Sequence, residues 1–214
     1  MRRAARGRRR LSSAAVFERP RPLRPRPRAS SGRGGLLKAF GRLDQKLLVA
    51  LRTRGHDKRT EGLVGALGSF GEWGLGWIAI GAVGAGLDPA RRASWWAASG
   101  IGPAAVAINY GVKLAVGRER PLIEDHPRLA RAPSKLSFPS AHSTSSIAAA
   151  TAMGRIAPAA RGALTTLALG ICLGRPFLGM HYPSDVAAGM LLGRAIGRAW
   201  PLPDVAPEPQ VWAR

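Results

Sequence analysis

Between Lys113 and Asp185 the chain carries three islands of polar residues set among apolar segments. They are Lys113-x6-Arg120-Pro121, then Ser137-Phe-Pro-Ser-Ala-His142, then Arg175-x5-His181-x3-Asp185. Three cations, two histidines and one carboxylate are the groups with which a protein holds a phosphate and attacks it. His181 and Asp185 are four residues apart, so one helical turn puts them on the same side if Pro183 starts the helix. A carboxylate bonded to one imidazole nitrogen fixes the tautomer and frees the other nitrogen as a base or nucleophile. Ser140 precedes a predicted helix, where exposed amides bind phosphate oxygens and a hydroxyl adds a donor. His142 is then placed to protonate a leaving group.

Taken singly, each island has a plainer explanation. Basic residues such as Lys113, Arg118 and Arg120 at the end of an apolar run are expected as interfacial anchors. A His/Asp pair four apart is more often a surface contact, and His142 alone reads as a loop or capping histidine. Only the combination is specific.

The elements that must position the islands are helical and apolar. Leu63 to Leu87 is 25 residues with one charge, Glu72, and Ala93 to Val112 is 20 residues with none. Each is long enough, as one helix at about 1.5 Å per residue, to span a hydrocarbon core of roughly 30 Å. Both read as transmembrane, with Glu72 facing the bundle or a polar cavity. Trp73, Trp77, Trp95 and Trp96 suit interfacial belts, with core packing the alternative for Trp73 and Trp77. Ser143 to Gly154, Gly162 to Gly174 and Val186 to Trp200 read as further helices, rich in the Ala and Gly that permit close packing. Nothing reads as a β-sheet. The fold class is therefore all-α: a membrane-embedded bundle of about five transmembrane or membrane-buried helices, preceded by an amphipathic one.

That first helix is read from Leu36, Leu37, Phe40, Leu43, Leu47, Leu48 and Leu51, with Lys38, Arg42, Asp44 and Lys46 on the other face. It suits an interface better than a bilayer crossing. His56, in the charged turn that follows, reads as solvated. The division is a basic arm at 1–34, the interfacial helix and turn at 35–60, a membrane domain at 61–200 and a loose tail at 201–214.

The 214 residues carry a formal net charge of +21, with twelve arginines before Gly34 against the single acid Glu18. Such a segment cannot bury enough apolar surface to fold alone and reads as disordered. An excess of this sign calls for an anionic partner. The arm has a single aromatic residue, Phe17, and none among the arginines and prolines of 19–28 for stacking on bases, which argues against nucleic acid and for a bilayer with anionic headgroups. The single Cys172 lies in an apolar run and reads as a packing residue.

In order and spacing the three islands resemble the signature of the type 2 phosphatidic acid phosphatase superfamily. That family includes lipid and acid phosphatases and vanadium haloperoxidases, and its pattern is K-x6-R-P, P-S-G-H and S-R-x5-H-x3-D. Lys113 through Pro121 fits fully; Ala141 stands where the family has glycine, and Gly174 where it has serine. The resemblance covers roughly residues 36–200, and neither departure removes a titrating group.

The resemblance implies that Lys113, Arg120 and Arg175 clamp the phosphate oxygens, while Ser140 and the amide of Ala141 complete the cradle. It further implies that His181 attacks phosphorus to form a phosphohistidine, that Asp185 orients its ring and that His142 protonates the departing oxygen. Arg118 lies outside the signature and is left as a neighbour of the site. No metal and no other cofactor is implied, because fixed cations neutralise the developing charge.

The expected substrate is a lipid phosphate: a polyprenyl phosphate or diphosphate, a polyprenyl-phosphoryl sugar phosphate, phosphatidic acid or phosphatidylglycerol phosphate. Two other functions compete: a haloperoxidase relative, against which the two long apolar runs argue, and a membrane protein that binds anions through its basic arm. The Arg- and Ala-rich composition suggests a high-GC bacterium, and the expected location is the bacterial plasma membrane. Counting crossings from Leu63 puts all three islands on the side of the arm, which the positive-inside rule assigns to the cytoplasm.

Overall fold

The computed structural model describes residues 32–123 and 126–205, with side chains from Ala39 onward, so the basic arm before Gly32 lies outside the described residues. Among these residues the fold is all-helical, and its one β feature is an isolated antiparallel bridge between Glu119 and Leu136. The helices are α1 (Gly32–Thr53), α2 (Lys58–Phe70), α3 (Leu75–Leu87), α4 (Arg92–Ser99), α5 (Ile101–Val116), α6 (Ala141–Ile156), α7 (Arg161–Phe177) and α8 (Pro183–Ala199).

Neither long apolar run is one helix, which corrects the expectation of two straight spans. The run from Leu63 is broken between α2 and α3, where Trp73 and Gly74 have φ of 53° and 78°. A Cβ on Gly74 would lie 2.9 Å from the Cα of Gly102, so glycine here lets the start of α5 press against the break. The run from Ala93 is broken at Gly100. Pro103 in the first turn of α5 has no N–H to return to Ser99, and the helix restarts instead of continuing. Among the described residues no single helix is long and apolar enough to cross a membrane. The pair Lys58–Phe70 and Glu72–Leu87, bent by 48°, has the length and composition to do so together.

The core is built on α6, whose residues from Ser143 to Ile156 are almost all buried. Its small side chains let α8 approach closely: added Cβ atoms at Gly189, Gly193 and Gly197 would meet the carbonyl oxygens of Ser140, Thr144 and Ala148 at 2.6, 2.3 and 2.6 Å. Pro183 does open α8. The N-termini of α6 and α8 and the C-termini of α5 and α7 gather at one end of the bundle, which carries the polar islands. At the other end Arg91 donates to Ile156 O, and Arg155 Nη1 donates to the carbonyls of Gly197, Arg198 and Trp200 at 2.9–3.1 Å.

Two further expectations are corrected. The segment after Trp200 is not loose up to Val205: Leu202 is buried, and Asp204 Oδ2 accepts from Ser94 N at 3.0 Å while Asp204 N donates to Ser94 Oγ at 2.8 Å. The first turn of α4 exposes amides that need such an acceptor. His56 is not solvated: its ring stacks on Phe177 at 3.8 Å and its Nδ1 lies 3.0 Å from Glu61. Among the four tryptophans, Trp77 and Trp95 are core residues, whereas Trp73 and Trp96 are exposed.

Gly193→Ala is expected to lower the thermal unfolding midpoint, with a loss of about 1–3 kcal/mol from overpacking against Thr144 O. Gly111→Ala in α5, where an added Cβ meets nothing within 4 Å, is expected to leave or raise it.

Candidate active site

The first two islands are clamped to each other by main-chain bonds. Arg120 N donates to Lys135 O at 3.0 Å and Ser137 N to Arg118 O at 2.7 Å, on either side of the Glu119–Leu136 bridge. Ser137 Oγ adds a bond to Glu119 O at 2.9 Å. From the end of α5, Lys113 Nζ donates to Pro139 O at 2.6 Å and Ser137 O at 3.1 Å. The Phe138–Pro139 peptide is cis. The second island joins the third through Ser140 N, which donates to Asp185 O at 2.9 Å.

Ser140 is the N-cap of α6 and is wholly buried, its Oγ accepting from Ser143 N at 3.4 Å. It lies behind the cavity wall, and Ala141 and His142 in the first turn of α6 line the cavity itself. That cavity has a volume of about 610 Å³. Lys113, Arg120, Arg175, His142 and His181 all face it. Every residue expected at the site is thus at this end of the fold, with Ser140 and Asp185 behind those that line the cavity.

His181 is almost wholly buried, between α7 and α8. Arg120 Nη1 lies 2.9 Å from its Nε2. A guanidinium only donates, so Nε2 carries the lone pair and Nδ1 the proton. Nδ1 faces Asp185 Oδ2 at 3.5 Å. Asp185 Oδ2 also accepts from Tyr182 N at 2.9 Å, and Oδ1 accepts from Arg118 at 2.8 Å. Burial above all, then the charges of Arg120, Arg175 and Lys113, hold His181 well below the ordinary imidazole range. Arg120 is itself pushed down to about 10, by burial first and then by Arg128.

Arg175, 4% exposed, has a buried Nε without a partner. A Cβ on Gly68 would lie 2.9 Å from its Nη1, so α2 leaves room for the guanidinium. His142 Nε2 donates to Gly68 O at 3.1 Å, which leaves Nδ1 to face a ligand. The departure at Gly174 has a packing cause, since an added Cβ would lie 2.8 Å from Val64 Cγ1 of α2.

Two residues that sequence reasoning left without a role, Asn109 and Asp44, join the site, as does Arg118, which it had left as a neighbour. Asn109, one turn before Lys113, is buried on the cavity wall, with Nδ2 donating to Thr144 Oγ1 at 2.9 Å and Oδ1 unpartnered. Its signal was a lone amide in an uncharged run. Arg118 and Asp44 lie behind Asp185, and Asp44 belongs to α1, far away in sequence.

Residues 94–202, half of the chain, match the family model described as the PAP2 superfamily. The chain belongs to the PAP2 superfamily. It is accordingly a phosphatase of the type 2 phosphatidic acid phosphatase kind, as the three islands implied. Decaprenylphosphoryl-5-phosphoribose phosphatase of Mycobacterium tuberculosis is 44% identical over 136 residues, covering 61% of this chain and 73% of that protein. The protein of the same name from Mycolicibacterium smegmatis is 43% identical over 127 residues, covering 58% and 68%. A transmembrane PAP2-type phosphatidylglycerolphosphate phosphatase from Bacillus subtilis shares the fold, with a TM-score of 0.59 at 21% identity over 74% of this chain and 83% of that one.

The PAP2 site has a stability signature. An unfolded histidine protonates near about 6.5, whereas His181 in the fold resists protonation to well below that. Its contribution to stability is therefore complete above about pH 6.5 and declines as the pH falls. The unfolding midpoint is expected to drop between pH 7 and pH 5, and His181→Gln to flatten that part of the profile.

Proposed function

We propose that the protein is an integral membrane phosphatase that removes the terminal phosphate of a polyprenyl-phosphoryl sugar phosphate through a phosphohistidine on His181. The observation that carries this reading is the composition of one cavity. Its lining holds Lys113, Arg120, Arg175 and His181 together with Leu75, Pro103, Val106, Ala107 and Tyr110. A dianion fits the first and a hydrocarbon chain the second. The substrate in the relatives' names, decaprenylphosphoryl-5-phosphoribose, joins those two chemistries.

In the reaction the three cations and the α6 amides bind the non-bridging oxygens. The His181 Nε2 lone pair attacks phosphorus, the bond from phosphorus to the sugar oxygen breaks, and protonated His142 gives its Nδ1 proton to that oxygen. Asp185 stabilises the charge that develops on the His181 ring. His142, now neutral, takes a proton from water as it attacks the phosphohistidine; inorganic phosphate leaves and His181 is restored. No metal is required on this route.

Arg131, Glu72 and Ser134 line the same cavity. Arg131 is placed for the second, diester phosphate of such a substrate, and Glu72 for hydroxyls of the sugar.

The bent α2–α3 pair, the interrupted α4–α5 run and α6, α7 and α8 make five passes between the ends of the bundle. We infer that these cross the bilayer and that α1 lies at its surface. The helix exposes Phe40, Leu43, Leu47 and Leu51 while burying Asp44 and Arg52, an arrangement suited to lipid on its outer side. Because α1 packs at the end of the bundle that holds the site, the site shares a side with the basic arm, which the positive-inside rule assigns to the cytoplasm. A reporter fused after Arg214 should then read as external, and a cytoplasmic signal would overturn this orientation.

Phosphate release should be fastest from a polyprenyl-phosphoryl pentose phosphate, slower from phosphatidic acid and slowest from a soluble sugar phosphate. His181→Ala should reduce all three to background, and equal rates for the two proteins would remove the catalytic assignment. Arg131→Ala should raise KM for the diester-containing lipid by about fivefold, corresponding to about 1 kcal/mol, with little change for a simple phosphomonoester.

A further inference from the structure

Asp185 is held by a residue outside the signature. Arg118 Nη1 donates to Asp185 Oδ1 at 2.8 Å and to Ser184 Oγ at 2.7 Å, and Nη2 donates to Asp44 Oδ2 at 2.8 Å. Its guanidinium stacks on the Tyr182 ring, 3.9 Å from the centroid. Asp44 in turn accepts from Ser184 N at 2.9 Å through Oδ1 and from Ser184 Oγ through Oδ2. The side chains of Asp44 and Asp185 are 3% and 0% exposed. Two buried carboxylates therefore share one cation, and one of them comes from α1.

We propose that Asp44 and Arg118 are positioning residues that set the orientation and the charge of the Asp185 carboxylate facing His181. The proposal rests on the reading of His181 as the nucleophile. Two bonds, Tyr182 N to Oδ2 and Arg118 to Oδ1, fix the carboxylate plane and so determine which edge meets His181 Nδ1. Asp44 keeps Arg118 from pairing with Asp185 alone, which leaves more negative charge on the carboxylate for the imidazolium that forms during attack. A bare contact between α1 and α8 would need neither the shared guanidinium nor its second carboxylate.

The charged and titrating groups around Asp185 are Lys113 from α5, Arg118 and Arg120 from the following loop, His181 and Tyr182 from the turn before α8, and Asp44 from α1. The acid limb of kcat/KM reports the coupled His181–Asp185 pair. Removing a negative neighbour lowers its apparent pKa, and removing a positive one raises it.

The test uses the full chain in phospholipid vesicles with a short-chain lipid phosphate, comparing Asp44→Asn, Arg118→Gln, Arg118→Lys and Asp44→Asn/Arg118→Gln. Each single variant is expected to lose about tenfold in kcat, with KM within about twofold of the parent. The double variant should lose little more than either single one, as members of one network do. The acid limb should move to lower pH for Asp44→Asn and to higher pH for Arg118→Gln, each by about half a unit. Arg118→Lys, which keeps the charge without the forked contact, should recover the limb but not the full kcat.

Lowered unfolding midpoints with the parental kcat and limb, or limbs that shift in the same direction, would overturn the proposal. Asp57→Asn, at the α2 cap, serves as the comparison that loses stability without loss of kcat. If a variant does not fold, the limb of Arg118→Lys alone decides, since a shift there means that charge is not what Arg118 supplies. Full activity of His181→Ala would instead remove the catalytic reading on which the proposal stands.

Discussion

The structure turns on three cations that are hidden from water without being neutralised. Lys113, Arg120 and Arg175 are 4%, 8% and 4% exposed, and among the described residues none is within ion-pair distance of a carboxylate. Burying a charge is costly unless its hydrogens are satisfied. Lys113 and Arg120 meet that cost with main-chain carbonyls, at Pro139 and Ser137 for the first and Ser134 and Met180 for the second. Carbonyl dipoles satisfy donors while leaving the net charge in place. The field in the cavity is therefore kept for an anion, and burial first, then that same field, holds His181 neutral.

Keeping Lys113 and Arg120 unpaired requires the acids behind His181 to be occupied elsewhere. Asp185 and Asp44 are both tied to Arg118, which is not among the residues lining the cavity. The close contact of α6 and α8 sets the depth at which this happens. Glycine at 189, 193 and 197 lets the α8 backbone rest on the carbonyls of α6, and the Ser140–Asp185 bond fixes the register of the two N-termini. Helix packing and site geometry are thus one constraint.

Much of the site was legible because the islands are short and their spacing is local. The Lys113–Arg120 interval is the last turn of α5 and the short loop after it, and the His181–Asp185 interval is the turn that Pro183 opens into α8. What was not legible depends on contacts across long sequence distances. A helical wheel separates the polar from the apolar face of α1, but it does not say on which face the rest of the protein lies. Asp44 was for that reason assigned only to the polar face, although it is buried against Ser184. Hydropathy likewise counts Gly71, Gly74 and Gly100 as compatible with an apolar run, whereas Trp73 and Gly74 take positive φ values and Pro103 restarts α5. The docking of Leu202 and Asp204 against α4 left no local periodicity to read.

The bond between Arg120 and the Nε2 of His181 has a consequence for the enzyme at rest. The lone pair proposed to attack phosphorus is already engaged by a guanidinium proton, so the imidazole is stoppered. Electrophiles that lack an anionic group cannot draw that proton away and meet a masked ring. Under the proposed mechanism a phosphate dianion would compete for the same guanidinium and uncover the lone pair as it binds. Reactivity would in this way be gated by the charge of the incoming molecule, and the buried histidine would remain chemically quiet until a phosphate arrives.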